Sequence, residues 1–313
     1  MAAYVFGPVP SRRLGRSLGV DLVPLKTCTL NCVFCQLGRT TEPCVTPGDF
    51  TPVAEVLAQV RARVAESPAP DFVTISGSGE PTLHCRIDEV IAGIKAMASV
   101  PVALLTHGTL FWDVSVRRRC LGADIILPSL DAGDEETFRR INRPHPALTL
   151  ARVVEGLVQL RAEYRGQIWL EVFLIEGVNA TEEHCLKIRA LAERIGPDRI
   201  HLNTAVRPPT ESWVRALSRE RLEALRAIFG EKAEVIAEFP ARPSGPVGAV
   251  TPEAVLEILS RRPCTLEDLA AGLGANVAEV SKVLAQLLTA HRVSRTEQDG
   301  KAYYRPTGTP PAR

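Results

Sequence analysis

The chain has 313 residues, 45% of them hydrophobic and 23% charged, with a formal net charge of +1. That size predicts about two domains of ordinary globular composition, and near-neutral charge argues against a globally basic nucleic-acid binder. No apolar run reaches the ~18 residues of a membrane span, and Met1 to Pro8 lack the charged start and apolar core of a signal peptide, so a cytoplasmic protein is expected.

In chain order, short apolar runs predict strands at 20–23, 72–75, 102–105, 125–127, 169–174, 200–202 and 235–237. Helix-spaced stripes lie between them. One carries Val53, Val56, Leu57, Val60 and Val64; a second Ile87, Val90, Ile91 and Ile94; a third Leu150, Val153, Val154, Leu157 and Leu160. Such alternation predicts an α/β domain with a parallel sheet, a partial or full (β/α) barrel, over 1–239. Pro240 to Val250 reads as a Pro/Gly linker. Beyond it, Thr251 and Pro252 open one helix, Thr265 caps a second that Gly274 ends, and Asn276 caps a third. The third has Val280, Val283, Leu284, Leu287 and Leu288 on one face. Two short strands follow, 292–296 and 302–305, around a turn at Asp299-Gly300. Residues 251–313 therefore read as a winged-helix domain with a frayed tail.

Of eight cysteines, five (Cys44, Cys85, Cys120, Cys185, Cys264) are dispersed and read as small core residues. The other three, Cys28, Cys32 and Cys35, form C-x3-C-x2-C. Structural zinc wants four ligands, usually in two pairs, and a fully protein-ligated cubane wants a fourth cysteine. Cys44 is nine residues past Cys35, too far to complete such a run. Three thiolates on one loop can hold three irons and leave one open, and an open metal position is where chemistry happens. The competing reading is a zinc knuckle with His84 or Cys44 as a distant fourth ligand.

The run resembles the cluster loop of the radical S-adenosylmethionine (SAM) superfamily, C-x3-C-x-aromatic-C, with Phe34 in the aromatic place. The wider string Phe6-Gly7-Pro8-Val9-Pro10-Ser11-Arg12-Arg13-Leu14-Gly15 resembles an Fe–S oxidoreductase branch akin to the tRNA wyosine-base synthases. Those synthases carry further cysteines upstream, whereas none precedes Cys28 here. The resemblance implies a [4Fe–4S] cluster on Cys28, Cys32 and Cys35, SAM at the open iron, and a flavodoxin- or ferredoxin-type reductant. One electron then cleaves SAM to methionine and a 5′-deoxyadenosyl radical, which abstracts hydrogen from a substrate that the sequence does not identify.

Further groups fall at strand ends. Gly77, Ser78, Gly79 and Glu80 follow the 72–75 strand. Glycines there admit a ligand to the backbone, and a carboxylate beside them can hold an ammonium group. The run resembles the superfamily's G-G-E motif, with Ser78 replacing its first glycine, which implies that Glu80 holds the SAM amino group. His107 follows the 102–105 strand, as a pocket residue or a turn residue. Ser129 and Asp131 share a face after 125–127. They are candidates for ribose hydroxyls, with Asp131 alternatively starting the next helix. Trp169, Glu171 and Phe173 share one face of a strand whose other face is aliphatic; His201 and Asn203 repeat the pattern. Glu171, His201 and Asn203 are therefore candidate catalytic residues facing SAM or substrate, with Trp169 and Phe173 lining the site. Arginines recur in the N-terminal stretch (Arg12, Arg13, Arg16) and near strand ends (Arg139, Arg140, Arg143, Arg207). Arg143 and Arg207 stand on the active-site side and suggest an anionic substrate.

The winged helix is balanced in charge, with seven Lys/Arg against seven Asp/Glu over 251–308. DNA readers gather more positive charge. Protein or peptide docking, or packing on the barrel, is favoured over nucleic-acid binding. The alternatives to an enzyme are an Fe–S sensor that controls a DNA-binding winged helix, and a zinc-stabilised binding module.

Overall fold

The computed structural model describes residues 3–11, 13–65, 69–237, 250–273, 275, 277–298 and 300–307. Eight strands form one sheet in chain order. The first two, β1 (Val5–Ser11) and β2 (Gly15–Val20), make an antiparallel hairpin. Every later neighbour is parallel: β3 (Phe72–Ile75), β4 (Val102–Leu105), β5 (Ile125–Leu127), β6 (Gln167–Leu174), β7 (Arg199–Thr204) and β8 (Ala233–Val235). The connecting helices are α1 (Val53–Val64), α2 (Ile87–Met97), α3 (Val114–Cys120), α4 (Glu135–Ile141), α5 (Leu150–Glu163), α6 (Glu182–Ile195) and α7 (Arg219–Phe229). Repeated βα units of one hand lay the strands side by side in this order. The sheet's order ends at β1 and β8, so the expected α/β barrel is a partial one.

Two strands differ from expectation. The strand expected at 20–23 lies earlier, as β2. Its Gly15, Arg16, Ser17 and Gly19 lack an apolar alternation, and pairing with β1, not side-chain pattern, makes it a strand. Leu22 and Val23 are buried but leave the sheet towards the cysteines. The strand expected at 235–237 is likewise observed at 233–235.

Alternation along the parallel strands divides the interior. Val73, Ile75, Leu104, Ile126, Leu170, Val172 and Leu202 face the helices and join the main core. Leu14, Ala103, Ile125, Leu127 and Trp169 face inward and form a separate apolar plug. Polar inward residues stand above that plug, towards the strands' C-terminal ends.

The second domain comprises α8 (Pro252–Arg261), α9 (Leu266–Leu273), α10 (Val277–Thr289), β9 (Val293–Gln298) and β10 (Lys301–Pro306). Thr251 accepts a hydrogen bond from Ala254 N at 3.2 Å. Thr265 and Asp268 cap each other's backbone N–H reciprocally. Val255, Ile258, Leu269, Val280, Leu284 and Leu287 form its core. The expected linker over 240–249, the caps Gly274 and Asn276, Asp299, and the tail 308–313 lie outside the described residues. No helix among the described residues is long and apolar enough to cross a membrane.

Gly156 shows how closely the helix layer seats on the strand loops. It is buried on α5, and a Cβ there would stand 2.6 Å from the Phe111 carbonyl carbon. Alanine is normally the better helix former by about 1 kcal/mol. Here Gly156→Ala is expected to destabilise the protein by roughly 1–3 kcal/mol, because backbone must move. Urea denaturation of the variant checks it, and a gain in stability would contradict the packing described.

Candidate active site

The chain between β2 and α1 carries the cysteines and contains neither helix nor strand over 21–50. Its position comes from neighbours. Asn31 N donates to Asn142 O (3.0 Å), Val33 N to Ile141 O (2.9 Å), and His145 N to Thr29 O (2.9 Å). On its other side Glu80 N donates to Thr27 O (2.8 Å) and Lys26 N to Ser78 O (2.7 Å). The cysteine loop is thus held between the loop after β3 and the end of α4.

The loop after β3 needs its glycines. Gly77 has φ +128°, and a Cβ there would stand 2.6 Å from Asp21 Oδ1. At Gly79 a Cβ would stand 2.9 Å from the Thr27 carbonyl carbon. Ser78 fits because its hydroxyl donates to Asp21 Oδ2 at 2.5 Å. Asp21 was not singled out from sequence, although a carboxylate just past a buried strand is the signal that marks it.

Cys28, Cys32 and Cys35 all line a cavity of about 440 Å³ at the C-terminal ends of the strands. Each thiol meets one nitrogen donor. Lys26 Nζ donates to Cys35 Sγ at 3.2 Å, and Asn142 Nδ2 to Cys32 Sγ at 3.5 Å. His107 Nε2 lies 3.2 Å from Cys28 Sγ. Burial raises the Cys28 thiol, but the neighbouring His107 charge and its hydrogen bond outweigh this and the pKa is lowered. Burial raises the Cys32 thiol well above its ordinary value. Among the described residues no three His, Cys, Asp or Glu side chains converge as ligands of one metal ion. A cubane binds each thiolate to a different iron, so its ligands stand further apart than those of a single ion. The donor set therefore fits a cluster with three protein thiolates, each compensated by an N–H group. Neither fourth ligand named for the zinc-knuckle alternative is placed to serve. Cys44 Sγ turns to Thr46 O, and His84 is buried against Thr51; neither lines the cavity.

Glu80 is buried and occupied on both oxygens. Oε1 accepts from Thr82 Oγ1 (2.5 Å), Thr82 N (3.1 Å) and Thr106 Oγ1 (2.5 Å); Oε2 accepts from His107 N (3.1 Å) and lies 3.0 Å from His107 Nε2. Burial raises its pKa, yet the His107 charge and these donors bring it down to about 2. Burial in turn lowers His107, but Glu80 and Cys28 hold it up at about 10. His107 is thus a pocket residue tying Glu80 to Cys28. An ammonium group reaching Glu80 has to compete with it.

At the β5 end, Asp131 and Ser129 both line the cavity. Asp131 does not start the next helix: Asp134 caps α4 through Thr137 N at 2.9 Å. Asp131 instead accepts from Asn142 Nδ2 (2.8 Å) and Phe173 N (3.0 Å), so one amide links it to Cys32. Burial raises its pKa to about 7. Phe34 stacks on Phe173 with centroids 4.0 Å apart. Glu171 and Asn203 face the cavity, with Asn203 Nδ2 donating to Glu171 Oε1 at 3.1 Å. Arg13, from the end of the hairpin, ion-pairs with the other Glu171 oxygen. Arg12 lies outside the described residues.

Three expectations need correction. His201 and Trp169 do not line the cavity; they sit a layer lower, edge to face at 5.4 Å. They share the inward face with Glu171 and Asn203, but they lie nearer the strands' N-terminal ends, beside the plug. Burial pushes His201 down to about 4, and its Nε2 stands 2.9 Å from Glu234 Oε1 on an approach poor for hydrogen bonding. Arg143 also misses the cavity. It pairs with Glu211 at 2.6 Å, which Arg39 shares, whereas Arg207 does line the wall.

Residues 22–188 match the Radical SAM superfamily, and the chain belongs to that superfamily. It is 30% identical over 307 residues to the UPF0026 protein MJ1312 of Methanocaldococcus jannaschii, covering 96% of this chain and 94% of that protein. A protein of Brachyspira hyodysenteriae named GTPase Obg is 33% identical over 303 residues, 96% of this chain. This chain spans only 45% of that protein's length. Residues 239–298 match the DprA winged helix domain. A radical SAM methyltransferase from Sphaerobacter thermophilus shares the fold, with TM-score 0.51 and 19% identity over 70% of this chain and 65% of that one.

A neutral buried histidine makes a pH test of the lower layer. Its folded pKa of about 4 lies below the ordinary value near 6.5, so its contribution is intact above pH ~6.5 and lost as pH falls towards 4. Between pH 7 and 4.5, His201→Gln should lose roughly 2 kcal/mol less stability than the parent. Urea denaturation at the two pH values checks this; parallel losses would contradict a neutral His201.

Proposed function

We propose that the chain is a SAM-dependent radical enzyme whose Cys28, Cys32 and Cys35 hold a [4Fe–4S] cluster. The observation that carries this reading is three thiols of one C-x3-C-x2-C loop on one cavity wall, each with its own nitrogen donor. When bound, the cluster and SAM supply one-electron cleavage of the sulfonium C–S bond and a 5′-deoxyadenosyl radical that takes hydrogen from substrate.

This chain's residues position and protect that chemistry. Three protein thiolates would leave one iron open to the amino and carboxylate groups of SAM. The Gly77–Glu80 loop stands beside them and would receive the methionine end, with Glu80 Oε2 holding its ammonium in place of His107. Ser129 and Asp131, on the same cavity, would take the ribose hydroxyls. The Phe34–Phe173 stack puts two carbon surfaces beside the cysteines. Glu171 and Asn203, held by Arg13 and by each other, offer the polar groups that face substrate. A reductant of flavodoxin or ferredoxin type provides the electron.

The test is anaerobic. Protein reconstituted with iron and sulfide is mixed with dithionite and SAM, and 5′-deoxyadenosine is assayed. The parent should form it, while Cys35→Ala should fall to background and lose the cluster's visible absorbance. A parent that binds iron and sulfide yet never cleaves SAM would overturn the proposal.

A further inference from the structure

Asn142 ends α4, yet its side chain is not needed there. The helix is closed by the backbone, Asn142 N donating to Phe138 O at 3.0 Å. Asn142 O accepts from Asn31 N, also at 3.0 Å, so the main chain of this residue already holds the cysteine loop. The side chain serves something else, in the interior: the residue is 2% exposed. Its Nδ2 donates to Asp131 Oδ2 at 2.8 Å and to Cys32 Sγ at 3.5 Å.

Chemistry fixes the direction of this amide. A carboxylate and a thiolate both accept, so nitrogen and not oxygen must face them. Oδ1 meets no donor among the described residues. A buried carbonyl left so is costly, and every hydrogen bond this side chain makes within the protein is a donation. Asp131 is itself held in place. Phe173 N donates to its Oδ1 at 3.0 Å, and Asn179 Nδ2 to its backbone O at 2.7 Å. Asn179 Oδ1 in turn accepts from Ile175 N at 2.7 Å. A run of hydrogen bonds therefore leads from the end of β6 through Asp131 to one N–H aimed at Cys32.

The other two thiols meet different donors. Cys35 meets the Lys26 ammonium, and Cys28 meets the His107 ring, which also sits against Glu80. Of the three donors Asn142 alone has no ionisable group, so its dipole does not depend on protonation. Reduction places one more electron on a cluster whose three thiolates already carry negative charge, with no bond made or broken. An N–H directed at a ligand sulfur stabilises the more negative state and raises the reduction potential.

We propose that Asn142 is a positioning residue for the electron-transfer step: oriented by Asp131, its amide N–H donates to Cys32 Sγ and raises the potential of the cluster bound there. This rests on the cluster half of the reading above, and not on SAM cleavage.

Full-length protein with its reconstituted cluster is titrated anaerobically with titanium(III) citrate and redox mediators, without SAM. The EPR signal of the reduced cluster is followed against potential. Asn142→Leu keeps the volume and removes the donor, and its midpoint should lie below the parent's at equal iron and sulfide content. Asn142→Ser, one bond shorter, leaves space for a water beside Asp131 and should also fall, by no more than the leucine variant. A leucine variant with a full cluster and a midpoint at or above the parent's overturns the proposal. If only the serine variant takes up a cluster, its midpoint decides in the same way. Failure of both to take up iron and sulfide overturns it too, because Asn142 then serves assembly. A parent that holds its cluster but never cleaves SAM loses the proposed function and leaves the midpoint comparison standing.

Discussion

The backbone hydrogen bonds that hold the cysteine loop are the constraint on which the site depends. A connection of some thirty residues without helix or strand is uncommon inside a compact domain and tends to be functional. Left alone it would sample many shapes, and three sulfurs would rarely converge. Here its amides and carbonyls bond to residues 141–145 on one side and 78–80 on the other, so the thiols take their positions from the sheet. Gly79 makes the second attachment possible, since only a residue without Cβ lets this turn approach the Thr27 carbonyl. Asp21 then locks Ser78 against the same stretch. Cluster loop and glycine loop are thus tied together by main-chain and side-chain hydrogen bonds.

The inward faces of the strands divide by depth. Near their N-terminal ends Leu14, Ile125, Leu127 and Trp169 close the floor with carbon. Buried His201 belongs to this level, and its lowered pKa leaves it uncharged at neutral pH. Above it Glu171, Asn203, Asp131 and Glu80 are polar, but each carboxylate has protein partners that fix its direction. Pre-paired polar groups of this kind need little reorganisation when a ligand enters.

The sequence disclosed the parts that are local. C-x3-C-x2-C is read within eight residues, and aliphatic alternation places β3 to β7 to within three residues at either end. Hidden parts depend on distance along the chain. Arg13 and Glu171 are 158 residues apart, and no local pattern announces their pairing. Asn142 is an ordinary helix-end residue until the fold brings it between Asp131 and Cys32. The β1–β2 hairpin was missed because Gly7, Pro8, Gly15 and Gly19 look like loop chemistry; strand pairing, not propensity, makes it a strand. His201 was misplaced for a related reason. Periodicity gives the face of a strand, but not the depth along it.

The winged helix follows from the same incompleteness of the sheet. An open barrel leaves strand edges, and an uncovered edge is a template for unwanted pairing. The hairpin puts β1 at one edge, bent at Gly7 and Pro8, where regular pairing is interrupted. Helices α8 and α9 pack on that strand, and Val9 joins their core. Tyr303 also reaches the loop after β7, so the second domain meets the first at β1 and at that loop. A module in that position cannot be removed without uncovering apolar surface on the first domain, and its face towards the cavity becomes part of the cavity. The balanced charge that counts against a DNA reader suits a domain that packs against the first.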